Sequence, residues 1–154
     1  MKIVEPVRKQ IVVEVSQERA FAVFTAEMDR WWPAEHHVGS SPMARSVLEP
    51  RVGGSWYAVC HDGSRSDTGK VLLWDPPRRV VLAWQLAAGW RYDPDFVTEL
   101  EVRFIAEGPA RTRVELEHRD LERYGEHTDD LRRSIDAAGG WQLSLERFAR
   151  AAES

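Results

Sequence analysis

The sequence predicts one α+β domain, in which a curved antiparallel sheet is covered by a long C-terminal helix. Three observations predict it. The apolar period is two through most of residues 46–118, in runs joined by short turn signals, which is the pattern of consecutive hairpins. Helical periodicity is confined to the two ends of the chain, so helices are segregated rather than alternating with strands. The length, 154 residues with 43% hydrophobic content, is that of a single domain, here 1–154, able to build a core without staples.

The elements follow in order. Residues 8–15 are rich in Ile and Val and read as a strand. Ser16 is placed as an N-cap with Glu18 in the first turn, and a helix runs over 17–25 with Ala20, Phe21, Phe24 and Met28 on one face. A second short helix, 27–32, stops before Pro33. Residues 33–44 read as loop, and 46–50 as a short strand. Trp56, Ala58 and Cys60 then alternate with Tyr57, Val59 and His61 up to the Asp62-Gly63 turn. A strand over 68–74 ends at Asp75-Pro76-Pro77, its parity placing Trp74 opposite Val71 and Leu73. Val80, Leu82 and Trp84 share the face of the next strand, and 87–95 is a loop carrying Trp90 and Tyr92. Thr98, Leu100, Val102 and Phe104 point one way, and Thr112, Val114, Leu116 and His118 do the same after the Gly108-Pro109 turn. Residues 119–134 read as loop plus a short helix. The final helix spans 139–152, with Trp141, Leu145, Phe148 and Ala152 on its stripe.

Charge narrows the function classes. Lys and Arg number 21 against 25 Asp and Glu, a net of -4, which argues against nucleic acid or a polybasic membrane surface as partner. Cys60 is a lone thiol, so no intrachain disulfide is expected and a reducing compartment fits. No signal-peptide core or apolar span of membrane length is read, which predicts a cytoplasmic protein. The odd number is seven Trp against five Phe and three Tyr. Indoles are costly to bury, because each N–H wants a partner, so this excess points to a bulky core or an aromatic-lined hollow.

Four stretches resemble one family. Val52-Gly53-Gly54-Ser55-Trp56 is similar to its Gly-Gly turn followed by an aromatic residue. Residues 69–84 resemble its strand, Asp-Pro-Pro-Arg-Arg turn and strand ending in Trp. Residues 112–118 resemble its strand ending in His, and Gly140-Trp141 followed by Leu145 and Phe148 resembles the opening of its last helix. Over about residues 8–152 the chain thus looks like the helix-grip (START/Bet v-like, SRPBCC) superfamily. Within it, the motifs look most like those of bacterial proteins related to the C-terminal domain of the activator of heat-shock protein 90 ATPase. The eukaryotic co-chaperones of that family carry a separate N-terminal domain, for which these residues leave no room.

The resemblance implies a seven-stranded sheet gripping the last helix, with a hydrophobic cavity between them. Its wall would be Trp56, Cys60, Leu82, Trp84, Leu100, Val102, Val114, Leu116, His118, Trp141, Leu145 and Phe148. Trp31, Trp32, Trp90, Tyr92 and Phe96 would frame its mouth.

Catalytic signals are sparse. His118 reads either as a polar group in the cavity, anchoring a ligand or acting as a base, or as a structural histidine near a strand end. Cys60 and His61 are strand neighbours on opposite faces and cannot pair as a nucleophile. Glu35-His36-His37 holds metal-binding residue types but lacks helical ligand spacing, so no metal or cofactor is expected. Glu99, Glu101, Glu115 and Glu117 read as solvated outward charges paired with Arg103 and Arg113. The leading expectation is a non-catalytic binding protein for a small hydrophobic or aromatic ligand. The alternatives are a cyclase- or aromatase-like enzyme using His118 with Tyr92 or Asp93, and a chaperone-interacting stress module. A homodimer is expected by analogy alone.

Overall fold

A computed structural model describes residues 4–33 and 41–154. Strand β1 (Val7–Val13) leads into helix α1 (Gln17–Phe24), where the Ser16 hydroxyl caps the Arg19 amide as anticipated. A single 3-10 turn, Met28–Arg30, stands where a second helix was expected. Strands β2 (Met43–Leu48), β3 (Ser55–Cys60), β4 (Arg65–Asp75) and β5 (Arg79–Trp84) follow. A small hairpin, β6 (Leu86–Ala87) with β7 (Arg91–Tyr92), interrupts the run before β8 (Thr98–Gly108) and β9 (Arg111–Arg119). The chain closes with helix α2 (Thr128–Asp136), a wide turn over Ala138–Gln142, and helix α3 (Leu143–Glu153).

Seven strands form one antiparallel sheet in the order β1-β9-β8-β5-β4-β3-β2, a curled half-barrel against the C-terminal helices. This is the α+β helix-grip architecture. The alternating residues meet inside it. Leu82, Leu100, Val102, Val114, Leu116, Leu145 and Phe148 are all buried, and one hydrophobic cluster joins the sheet to α1 and α3.

A strand parity and a helix start are corrected. Trp74 does not lie opposite Val71. A β-bulge between Val71 and Leu73 inserts one residue and flips the parity, so Trp74 turns inward onto Phe21 at 5.1 Å while Leu72 faces solvent. The short helix expected in the polar stretch before the last helix is α2, held by buried Leu131 and Ile135 at i, i+4 spacing and running on to Asp136. The C-terminal helix starts at Leu143 rather than 139. Gly140 there has φ −90° and ψ −128°, and a Cβ on it would sit 2.3 Å from the Ile135 carbonyl.

On the outer face of the sheet, Glu101 of β8 is not solvated as expected. It is buried at the centre of Arg79, Arg103 and Arg119, with N–O distances of 3.3, 2.8 and 2.7 Å. Burial raises its pKa, but the hydrogen bonds from Arg103 and Arg119 outweigh that and hold it at about 2.

Candidate functional site

The site is a chain of indoles between sheet and helix. Trp56 on β3 and Trp84 on β5 are both register partners of Gly69 on β4, which lies between them. With no side chain there, the indoles lean together to 5.6 Å between centroids. Trp141, in the turn before α3, meets Trp84 at 5.4 Å, and Trp32 meets both Trp56 (5.4 Å) and Trp141 (5.8 Å). Trp31 extends the chain into Phe24 and Phe148. These are edge-to-face or tilted contacts in the range aromatic rings prefer.

A polar thread runs through the indoles. Trp141 Nε1–H donates to His118 Nδ1 at 3.1 Å. An indole N–H can only donate, which assigns the histidine proton to Nε2. Nε2–H then donates to Thr98 Oγ1 at 2.8 Å, and the Thr98 hydroxyl donates to the Trp84 carbonyl at 3.4 Å. Both ring nitrogens are therefore engaged inside the protein. His118 is fully enclosed, and burial pushes its pKa down to about 3, so the ring is neutral at physiological pH. This geometry is that of the structural histidine, not of a base held open for substrate. Trp84 Nε1–H donates to Tyr124 Oη (3.2 Å), whose own proton goes to the Leu86 carbonyl (2.7 Å). Desolvation raises the Tyr124 pKa to about 12. Trp31 Nε1–H donates to the Val23 carbonyl at 2.8 Å.

Apart from Cys60, the residues assigned to the wall come together on this inner face, where they are at most 6% exposed and pack on one another instead of standing around an open hollow. Those assigned to the mouth divide. Trp31 and Trp32 are 3% and 8% exposed and belong to the interior, because the 3-10 turn folds them onto α3. Trp90 and Tyr92 are each 37% exposed on the small hairpin, and Phe96 is half-buried against Tyr124 at 4.8 Å. Cys60 is buried at the end of β3. Glu35-His36-His37 lies outside the described residues. Among the described residues, no cluster of His, Cys, Asp and Glu could hold a metal, and no helix is long and apolar enough to cross a membrane. Sequence reasoning missed Tyr124, which sits in a charged stretch with no readable period, and the role of Thr98, which it had only as an inward strand residue.

Fold and site together define a helix-grip domain with an aromatic interior. The chain belongs to the family described as Activator of Hsp90 ATPase homolog 1-like protein, whose pattern matches residues 14–153. Among solved structures it is similar to the anthrahydroquino-gamma-pyrone synthase Txn09, complexed with SUM, at 36% identity and TM-score 0.67, over 96% of this chain and 97% of that one. It is also similar to CalC of Micromonospora echinospora, a self-sacrificing resistance protein, at 28% identity and TM-score 0.70, over 96% and 94%. Protein NE0264 of Nitrosomonas europaea shares the fold at 13% identity and TM-score 0.63, over 98% and 96%. No curated protein matches the chain.

Proposed function

We propose that this protein binds a flat, polycyclic aromatic small molecule between the sheet and α3, without transforming it. The observation that carries the reading is the indole chain. Trp32, Trp56, Trp84 and Trp141 meet edge to face or tilted in one continuous interior and are at most 8% exposed, so a ligand of fused rings would enter by parting them and would exchange their ring contacts for its own. The likeness to a synthase of an anthrahydroquinone-fused pyrone supports the ring class. The closed hydrogen-bond thread around His118 supports binding over acid–base chemistry.

A second reading, an enzyme of the cyclase kind, is favoured by the 36% identity to that synthase. Such an enzyme would work by positioning, or through Tyr92 and Asp93 at the hairpin, since His118 is already committed. The binding reading takes the lone thiol of Cys60 to belong in a reducing, cytoplasmic setting, with homodimerisation open. A contact with heat-shock protein 90 has support only in the family description.

The test uses 1,8-dihydroxyanthraquinone as probe, titrated against intrinsic Trp fluorescence, with chromatography of the recovered probe. Saturable quenching and unchanged probe are expected. A converted probe supports the enzyme, and no quenching contradicts both.

A further inference from the structure

Between β9 and α2 the chain makes a 3-10 segment, Leu121–His127, that lies over the Trp84 end of the indole chain. We propose that its first part, Leu121–Gly125, is a strap that is hinged at Asp120 and Gly125, latched by Tyr124, and opened to admit a ligand to the interior. Entry by this route rests on the binding reading above, whereas the opening itself does not.

Three observations carry it. First, one hydroxyl holds the strap down. Tyr124 Oη accepts from Trp84 Nε1–H at 3.2 Å and donates to the Leu86 carbonyl at 2.7 Å. It thereby joins the strap to the indole chain and to the base of the β6–β7 hairpin, while Phe96 lies against its ring at 4.8 Å. Trp84 is 6% exposed beneath it. Second, left-handed residues bracket the strap. Asp120 has φ 66° and ψ 27°, a conformation that aspartate tolerates at some strain. Gly125 has φ 61° and ψ −123°, which only glycine enters readily. A Cβ on Gly125 would meet none of the described residues within 4 Å, so the backbone conformation, not close packing, is what requires glycine there. Such residues absorb the φ/ψ change of a hinge. Third, the strap is thinly held. Leu121 and Tyr124 are buried, but Glu122, Arg123 and Gly125 are exposed. Arg123 Nη1 donates to the Val97 carbonyl at 2.6 Å across an exposed surface. The Thr128 hydroxyl shares its single proton between the carbonyls of Gly125 (2.8 Å) and Leu121 (3.1 Å). Keeping the shorter bond fixes the far hinge to α2 while Leu121 is released.

A strap answers the packing of the interior. The indoles fill the space between sheet and α3, so a fused-ring ligand enters only as a wall moves. Moving the sheet or α3 would break the main hydrophobic cluster, whereas lifting the strap uncovers two buried side chains. It also frees Trp84 Nε1–H. The ligand class that gains most is a flat ring system bearing a carbonyl oxygen, which accepts that proton in place of Tyr124.

Hydrogen exchange of the indole N–H groups, followed by nuclear magnetic resonance on the full chain, tests the opening without a ligand. Trp84 Nε1–H is bonded to the strap, whereas Trp31 and Trp141 donate to the Val23 carbonyl and to His118. In wild type, Trp84 should exchange about tenfold or more faster than the other two, at a rate that low urea leaves unchanged. Val13→Ala, at a buried position of β1, weakens the whole fold with the strap open or closed. It should speed Trp31 and Trp141 about tenfold and leave Trp84 within about twofold. Gly125→Ala strains the closed strap, so association of 1,8-dihydroxyanthraquinone in stopped flow should be about tenfold faster, with Val13→Ala at the wild-type rate. If Trp84 exchanges in step with Trp31 and Trp141 across the urea series and in Val13→Ala, the strap does not open by itself and the proposal is overturned. If wild type binds the anthraquinone and Gly125→Ala does not speed its association, the strap is overturned as the entrance and the binding reading stands. If wild type does not bind it, the binding reading fails and the entrance with it, and the exchange rates alone decide the opening.

Discussion

Trp56 and Trp84 touch across a glycine. Both are paired with Gly69, and a Cβ on that residue would lie 1.7 Å from the Ala83 carbonyl and 3.6 Å from Trp56 Cε3. The close approach of β4 and β5 and the meeting of two indoles thus depend on one missing side chain. Gly69→Ala should push the strands apart and lower unfolding free energy by about 2–4 kcal/mol in urea denaturation. The near-ultraviolet circular dichroism of coupled indoles should fall with it. A variant of wild-type stability would show that the sheet relaxes there at no cost.

Trp141 is expected to matter for its N–H as much as for its bulk. Trp141→Phe keeps most of the packing but leaves His118 Nδ1 buried without a donor. The expected loss is about 1–3 kcal/mol of stability by chemical denaturation, in addition to any cavity effect. Rescue by a second change, His118→Leu, is expected in part, since it removes the orphaned acceptor.

His118 should make the protein acid-sensitive in a defined window. Its folded pKa, about 3, lies below the ordinary histidine value of 6.5, because burial disfavours the charged ring. Between those values the unfolded chain binds a proton that the folded chain does not, so stability rises with pH. The contribution is fully present above about pH 6.5 and is lost as pH falls toward 3, at about 1.4 kcal/mol per pH unit. Urea unfolding from pH 4 to 7 should show this slope in wild type and a slope smaller by one proton in His118→Gln. An unchanged slope in the variant would mean that His118 is protonated in the fold.

Glu101 works in the opposite order of groups but the same direction of pH. Its folded pKa of about 2 lies below the ordinary 4.5, so its contribution is present above about pH 4.5 and lost as pH falls toward 2. The arginines around it are 29–51% exposed, so water screens the cluster. Glu101→Gln should cost about 1–2 kcal/mol at pH 7 in thermal or urea denaturation and flatten the acid limb below pH 4.

How far the sequence could be read follows from where its signal is periodic. Strict alternation located the inner face of β3, β5, β8 and β9, because a half-buried strand imprints a period of two. It misplaced Trp74 because a bulge shifts parity by one residue and leaves no mark in composition. The resemblance drew attention to Gly140-Trp141, which stands in the turn before the last helix and not in its opening, but the hydrogen bond to His118 was not legible, because two residues far apart in sequence carry no spacing signal. Trp31 and Trp32 were expected in a short helix, framing the mouth of the cavity. Their burial depends on how the 3-10 turn folds against α3, which is a tertiary outcome. The short helix expected in 119–134 is α2, whose helical spacing is carried by Leu131 and Ile135.

A fused-ring aromatic is expected to lie against the indole chain. The most direct measurement is a set of intermolecular nuclear Overhauser effects between bound 1,8-dihydroxyanthraquinone and the protein's indole protons. Contacts are expected from the probe to Trp56, Trp84 and Trp141, with His118 Nε2–H retained and its bond to Thr98 intact. Contacts confined to the arginine and glutamate side chains of the outer sheet face, or none to the indoles, would contradict it.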